Sequence, residues 1–344
     1  VKRHVKEVFS RSIVVAPHKP SAIPAAKAAF ALAVPLVLVT VTGHAQWSMY
    51  AAFGAFCAVF GRYDSYAPRF WQQLSVGVVQ LSAMVLGTFF SMIHAPFYVC
   101  AVVLAVIGFG ANYVSQAARW LPPGPIFAVF AGGACISIPA TASSFVGVLL
   151  VGGGTIIFSL LFMLGLSLRR ANLWHTLGAG YTWTPSPRAL RDSAQMGLGI
   201  FLAAVIAHLL GGGHWYWASL GAIAAVSGID AYSKVARGLQ RSVGTCVGVL
   251  LTATVLIFEP PVWAILVVAI VGQICIELVI LRNYAIGMVF MTVTALLMVH
   301  MVSPEPASSL LLDRVAMTAL GAGIGAVQST LFGIFAGRER NLAA

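Results

Sequence analysis

Charge is what this chain has least of. Only 8% of its 344 residues are Asp, Glu, Lys or Arg, whereas 60% are hydrophobic and the mean hydropathy is +0.93. A soluble protein of this length covers its surface with roughly a quarter charged residues, so a soluble multidomain chain is excluded and apolar side chains must face lipid. Cysteine is sparse too. Cys57, Cys100, Cys135, Cys246 and Cys275 fall in apolar stretches and form no CxxC pair, which argues against a disulfide framework or a zinc site. Also lacking are a nucleophile–base arrangement, a phosphate-cradling glycine loop and a metal-ligand cluster. Accordingly no enzymatic activity, metal or cofactor is expected. Acidic residues are few, 9 against 20 Lys and Arg, for a net charge of +11. The cations are spread thinly between apolar segments, a pattern that topology explains better than nucleic-acid binding. The alternation needed for a membrane β-barrel is missing as well.

What is present is a series of long apolar runs. Twelve spans are expected, at about 22–42, 47–60, 71–93, 97–114, 126–138, 145–168, 194–210, 215–229, 243–258, 262–281, 286–302 and 315–335. The expected fold class is an all-α polytopic membrane protein, its twelve transmembrane helices arranged as two parallel six-helix repeats. With the amino terminus in the cytoplasm, every Lys and Arg falls on the inner face except Lys27, inside the first span, and Arg314, at an outer helix end. The positive-inside rule therefore places both termini in the cytoplasm. Residues 1–20 are read as a cytoplasmic basic amphipathic segment, with Val5, Val8, Phe9, Ser12 and Ile13 at helical spacing among Lys2, Arg3, Lys6 and Arg11. A helix lying on the inner leaflet and a solvated basic tail both fit it. Pro17 and Pro20 stand where a secretory signal would have its cleavable apolar core.

The halves resemble each other. His44 and Trp47 open span 2 as His214 and Trp217 open span 8; Asp64 and Tyr66 follow span 2 as Asp230 and Tyr232 follow span 8. Pro96 matches Pro261, and Arg119 before span 5 matches Arg282 before span 11; the offsets run 170, 166, 165 and 163. Repeat 1 is set at 21–168, a cytoplasmic linker at 169–188, repeat 2 at 189–337 and a tail at 338–344. Six spans per unit give both the same orientation, related by an axis along the membrane normal. Spans 2, 5, 8 and 11 are read as short or broken, span 5 by Pro122, Pro123, Pro125 and Pro139. Matched short segments point to a transport site; close helix packing is the plainer alternative.

Ionisable residues inside or just inside the spans carry the candidate chemistry, because a charge there usually faces a bundle interior or water. For anion binding these are Lys27, Arg119 and Arg282, the last two read as lying at helix amino termini, where the dipole is also positive. Snorkelling of Lys27 to headgroups and simple positive-inside placement of both arginines are the competing readings. Trp47, Trp217 and Phe127 would offer apolar contact. Glu277, whose counterpart by offset is Asn112, is expected to pair with Arg282 or Lys27, or to take up a proton. His44 and His214 are candidates for sensing external pH or plain interfacial neighbours of the belt tryptophans. Asp64 and Asp230 are read chiefly as loop-fixing charges.

The stretch LRNYAIGMVFMTVTALLM (281–298), the later DRVAMTALGAGIGA (313–326), with its Arg-x-x-x-Thr-x-x-Gly pattern, and HWYWASLGAIAAV followed by LQRSVGTCVGVLL resemble the fusaric acid resistance (aromatic acid exporter) family. The likeness runs from about Ala22 to Gly337 and is strongest in the second half. It implies relatives that export aromatic carboxylic acids across the bacterial inner (plasma) membrane and, more distantly, plant aluminium-activated malate channels. Two departures stand out. The large soluble domain of many bacterial members has no counterpart in the linker, and Val146 occupies the position of Arg314.

The leading reading is an exporter of small organic anions, aromatic or other carboxylates, passing along the seam between the halves. A passive anion channel, and an envelope protein handling lipid or cell-wall precursors or scaffolding enzymes, are the alternatives. A major-facilitator fold is disfavoured because GRYDSYAPR lacks that family's loop pattern. Expected partners are small organic anions and membrane lipids, not nucleic acid, with homo-oligomerisation left open.

Overall fold

The computed structural model describes residues 22–62, 64–167, 182–227, 231–302 and 306–342. The basic segment 1–20, Asp230 and most of the linker lie outside the described residues. All regular structure within them is helical. The first half consists of α1 (Ala22–Val41), α2 (Ser48–Ala55), α3 (Tyr66–Met92), α4 (Phe97–Ala117), α5 (Ile126–Ser137), α6 (Ala142–Gly147) and α7 (Gly154–Ser167). A 3-10 turn flanks α2 on each side, at Ala45–Trp47 and Phe56–Val59, and a π-helical turn, Val148–Gly153, joins α6 to α7. The second half consists of α8 (Pro187–Leu209), α9 (Tyr216–Val226), α10 (Ala231–Ile257), α11 (Val262–Val279), α12 (Tyr284–Val302) and α13 (Ala307–Leu342).

Among the described residues, nine helical segments are long and apolar enough to cross a membrane: α1, α3, α4, the continuous α6–α7 segment, α8, α10, α11, α12 and α13. The remaining elements, α2, α5 and α9, hold 8, 12 and 11 residues and coincide with three of the expected short segments. The fourth expectation is corrected. α12 runs for 19 residues and is of spanning length. Its start is set by Asn283, whose Oδ1 accepts from the Ile286 N–H at 3.1 Å, whereas Pro122, Pro123 and Pro125 delay α5 until Ile126, since proline supplies no N–H to a helix interior.

The helix ends follow from local chemistry. Ser186 caps α8 by accepting from the Ala189 N–H at 3.1 Å, with Pro187 in the first turn, an arrangement that satisfies an orphan donor. α8 therefore begins inside the expected linker range. α1 and α8, which precede His44 and His214, terminate alike. Gly43 (φ +80°) and Gly211 (φ +79°) adopt the left-handed conformation, and the next amides, His44 N–H and Gly212 N–H, close on the Val39 and Ala207 carbonyls at 2.9 Å each. This is the glycine-terminated helix end.

Packing between the halves is reciprocal. α1 lies against α11, and α4 lies against α8. In lipid the apolar effect does not drive helices together, so small residues and close contact must. Gly54 of α2 sits 2.7 Å, measured to an ideal Cβ, from the Gly152 carbonyl oxygen; Gly221 of α9 sits 2.6 Å from that of Thr318 on α13. Each short helix is thus pressed against the last long segment of its own half.

Candidate functional site

The expected ionic residues do not converge on one point. At the α2–α3 turn, Arg62 Nη1 meets Glu277 Oε2 of α11 at 2.8 Å, the carboxylate buried and the guanidinium partly so. Gln273 Nε2 donates to the other carboxylate oxygen at 3.4 Å. Glu277 therefore pairs with neither Arg282 nor Lys27, as the spacing suggested, but with an arginine of the other half. Arg69, one turn into α3, is buried beside this pair and its Nε is unpartnered. Asp64 accepts from Gln72 Nε2 at 2.6 Å, while Gln72 Oε1 accepts from the Leu121 N–H at 3.0 Å. Asp64 and Gln72 thus link the α2–α3 turn to the backbone of Leu121. Asn112 donates to Ser193 Oγ at 3.0 Å within the α4–α8 contact. Lys27 is half-buried on α1.

Arg119 and Arg282 need a correction. Neither sits in the first turn of a helix. Arg119 follows the end of α4 with φ +52°, and the Trp120 N–H closes on the Ser115 carbonyl at 2.9 Å. Arg282 lies in the turn after α11, its N–H bonded to the Val279 carbonyl at 2.9 Å. Arg119 therefore complements a helix carboxyl end, whereas Arg282 stands between the carboxyl end of α11 and the Asn283 that starts α12. Arg119 is exposed and Arg282 half-buried.

At the opposite end the two histidines are matched in structure as in sequence. His44 stacks on Trp47 at 4.5 Å between ring centroids, and His214 stacks on Trp217 at 4.6 Å. Among the described residues the second pair is tied further. His214 Nδ1 lies 3.0 Å from Asp313 Oδ2, which also accepts from the His214 N–H at 3.2 Å. The face of Trp217 is engaged by Arg314, whose guanidinium carbon is 5.0 Å from the ring centroid. Trp217 is thus enclosed by its own neighbours, and its ring serves Arg314 before any solute. Trp47 is half-buried.

The residues that sequence reasoning passed over are Arg241 and Arg314. Each is 1% exposed, and among the described residues neither meets a carboxylate. Arg241 Nη1 donates to Tyr284 Oη at 3.1 Å. The Nε atoms of both arginines, and Nη1 of Arg314, have no hydrogen-bond partner. Two signals were available: Arg314 was one of two cations off the inner face, and it opens the Arg-x-x-x-Thr-x-x-Gly pattern.

A file of aromatic rings runs from the boundary between the halves into the first half. Tyr216 of α9 stacks on Phe130 of α5 at 6.4 Å, and Phe130 meets Phe53 of α2 edge-on at 5.0 Å. The file continues through Phe56 to Phe127 at 4.9 Å, to Phe60 at 5.6 Å, and ends on Trp120 at 5.6 Å. Phe127, expected to contact solute, is held in this file, and its carbonyl accepts from Gln80 Nε2 at 3.1 Å. Among the described residues this file reaches the second half through Tyr216, and the buried arginines without a carboxylate, Arg241 and Arg314, lie within the second half.

Comparison with known proteins bears on that half. Residues 202–328, from within α8 to within α13, match the family described as fusaric acid resistance protein-like. The "Uncharacterized membrane protein YvaC" of Bacillus subtilis (strain 168) is 30% identical over 164 residues, 47% of this chain and 26% of that protein. The chain thus spans about a quarter of that relative's length. No solved structure matches. The apolar helices, the ordered motifs of the second half and these matches agree: this is a multi-pass membrane protein, and residues 202–328 of its second half are similar to the fusaric acid resistance protein-like family.

Proposed function

We propose that the protein exports small organic anions, aromatic or other carboxylates, across the bacterial plasma membrane. In this reading it crosses the bilayer twelve times, as two six-helix repeats related by an axis along the membrane normal, with both termini in the cytoplasm. The reciprocal α1–α11 and α4–α8 packing and the paired glycine contacts of α2 and α9 support the repeat. One observation carries the choice of anions. Among the described residues the buried Asp, Glu, Lys and Arg side chains are Arg69, Arg241, Arg314 and Glu277, and Glu277 is taken by Arg62. The interior is left with positive charge, which in a low-dielectric medium attracts anions and rejects cations. Arg237, Arg282 and Arg119 add positive charge outside it.

An inside-negative potential is driving force enough, about 2.3 kcal/mol per 100 mV for each anionic charge exported. Proteoliposomes loaded with a panel of carboxylates test the reading. Efflux is expected to follow an imposed inside-negative potential without a pH gradient, and to exceed that from protein-free vesicles for at least one carboxylate. Rates equal to those of empty vesicles across the panel would remove the proposal. Efflux that needs a pH gradient and ignores voltage would replace it with proton-coupled transport.

A further inference from the structure

We infer that Arg241 and Arg314 together form a binding site for a single carboxylate group, enclosed by α9, α10, α12 and α13. The inference rests on the anion-transport reading and gives it a location. A buried guanidinium costs several kcal/mol unless an opposite charge and hydrogen bonds compensate it. Among the described residues neither arginine has that compensation. Arg241 donates through Nη1 to the Tyr284 phenol at 3.1 Å and to the Met288 thioether at 3.7 Å; both acceptors are neutral. Arg314 lies 5.0 Å over Trp217, and a cation–π contact returns only about 2 kcal/mol at a desolvated site. Among the described residues the ionisable groups near enough to act on the charge of Arg314 are Arg241, Tyr216 and Tyr284, with no carboxylate among them. The neighbouring Asp313 is turned to His214.

The two arginines are close enough to share a ligand. α13 runs antiparallel to α10, with Gly238 facing Ala322. Counting back from Ala322, Arg314 is level with about residue 246 of α10, roughly 8 Å of helix rise beyond Arg241. Two long guanidinium side chains span that interval. Thr245 and Thr318 lie at the same depth, both buried, their hydroxyls without a hydrogen-bond partner among the described residues. Tyr284 Oη accepts from Arg241, which leaves its own proton free to donate. The cluster thus presents cationic and hydroxyl donors without a carboxylate, which suits an oxyanion and suits neither a cation nor a neutral amide. Arg237, one turn before Arg241 and exposed, stands 5.5 Å from the Tyr284 ring and gives an anion a first contact on the way in.

The test is equilibrium binding of radiolabelled benzoate to the purified full chain in phosphatidylcholine nanodiscs. Saturable binding is expected, weakened at least about tenfold in Arg241→Gln and in Arg314→Gln, a loss of about 1.4 kcal/mol. Arg314→Lys should recover most of the affinity. The exposed Arg188→Gln should match wild type. Benzoate should also raise the unfolding temperature of wild type and not of the two Gln variants. Should a Gln variant fail to purify as a monodisperse species, Thr318→Val supplies the same test with a smaller loss. Wild-type affinity in both Gln variants overturns the site while leaving transport intact. Binding as described without carboxylate flux keeps the site and removes the transport reading. Loss of benzoate binding when phosphatidylglycerol replaces part of the lipid would assign the site to a lipid phosphate and overturn the proposal.

Discussion

Replacing Gly321 with leucine is expected to abolish accumulation of folded protein, while Gly323→Ala on the same helix leaves it unchanged. An ideal Cβ at Gly321 would clash with the Ala218 carbonyl oxygen and come within 2.6 Å of its carbon. These are backbone atoms of α9, which no rotamer change can move aside. The neighbouring contacts are just as tight: Gly221 meets the Ala322 amide nitrogen at 2.9 Å, and Gly325 the Ala222 carbonyl oxygen at 2.6 Å. α9 is only 11 residues long and owes its position to this backbone-on-backbone seat. Overpacking a core costs about 1–3 kcal/mol when side chains can adjust, and displacing a helix costs more. At Gly323 nothing lies within 4 Å, so the added methyl meets no protein atom. Size-exclusion profiles of the two purified variants check the contrast. Because Trp217 and Arg314 face each other across this same contact, a partly folded Gly321 variant should also lose carboxylate binding.

The second large effect belongs to Glu277. Glu277→Ala is expected to destabilise the protein by about 3–5 kcal/mol, the usual result of leaving one partner of a buried pair uncompensated. The loss should exceed that of Arg62→Ala. Removing the acid leaves Arg62 and the buried Arg69 facing each other, whereas removing Arg62 leaves Glu277 within the field of Arg69. A double variant with Arg62→Met and Glu277→Leu should regain most of the loss, because an apolar pair of similar volume carries no buried charge. Unfolding temperatures of the four proteins in one detergent decide the matter, and equal losses in both single variants would contradict it. The pair joins the α2–α3 turn to α11, so its first role is to hold the halves together at this end.

Much of this architecture was legible before any coordinates. Apolar run length marked the spans, and prolines 122, 123 and 125 marked the late start of α5. The equivalence of His44–Trp47 with His214–Trp217 survives as two stacked ring pairs. What stayed hidden has physical causes. Apolar residues cover both the lipid face and the protein face of a membrane helix, so the 3.6-residue period that would show which way Arg241 points is nearly erased. The apolar run of the ninth segment starts at Val243, yet the helix begins at Ala231, so Arg241 lies inside the helix but outside the run. The partner of Glu277 lies 215 residues away in sequence, a separation on which local spacing is silent. Arg119 and Arg282 were read from the helices that follow them, although each completes the helix before it. Trp217 and Phe127, chosen as solute contacts, turned out to be held by Arg314 and by neighbouring phenylalanines.

The central claim is that buried positive charge makes this protein pass negative solutes and refuse others of the same shape. The sign of the current on solid-supported membranes tests it most directly, with benzoate, benzamide and benzylamine applied in turn to the reconstituted full chain. A benzoate jump should produce a transient current of anion sign that vanishes in Arg241→Gln, while benzamide and benzylamine give none. A cation-sign current with benzylamine, or the same benzoate response after Arg241 is neutralised, would contradict it.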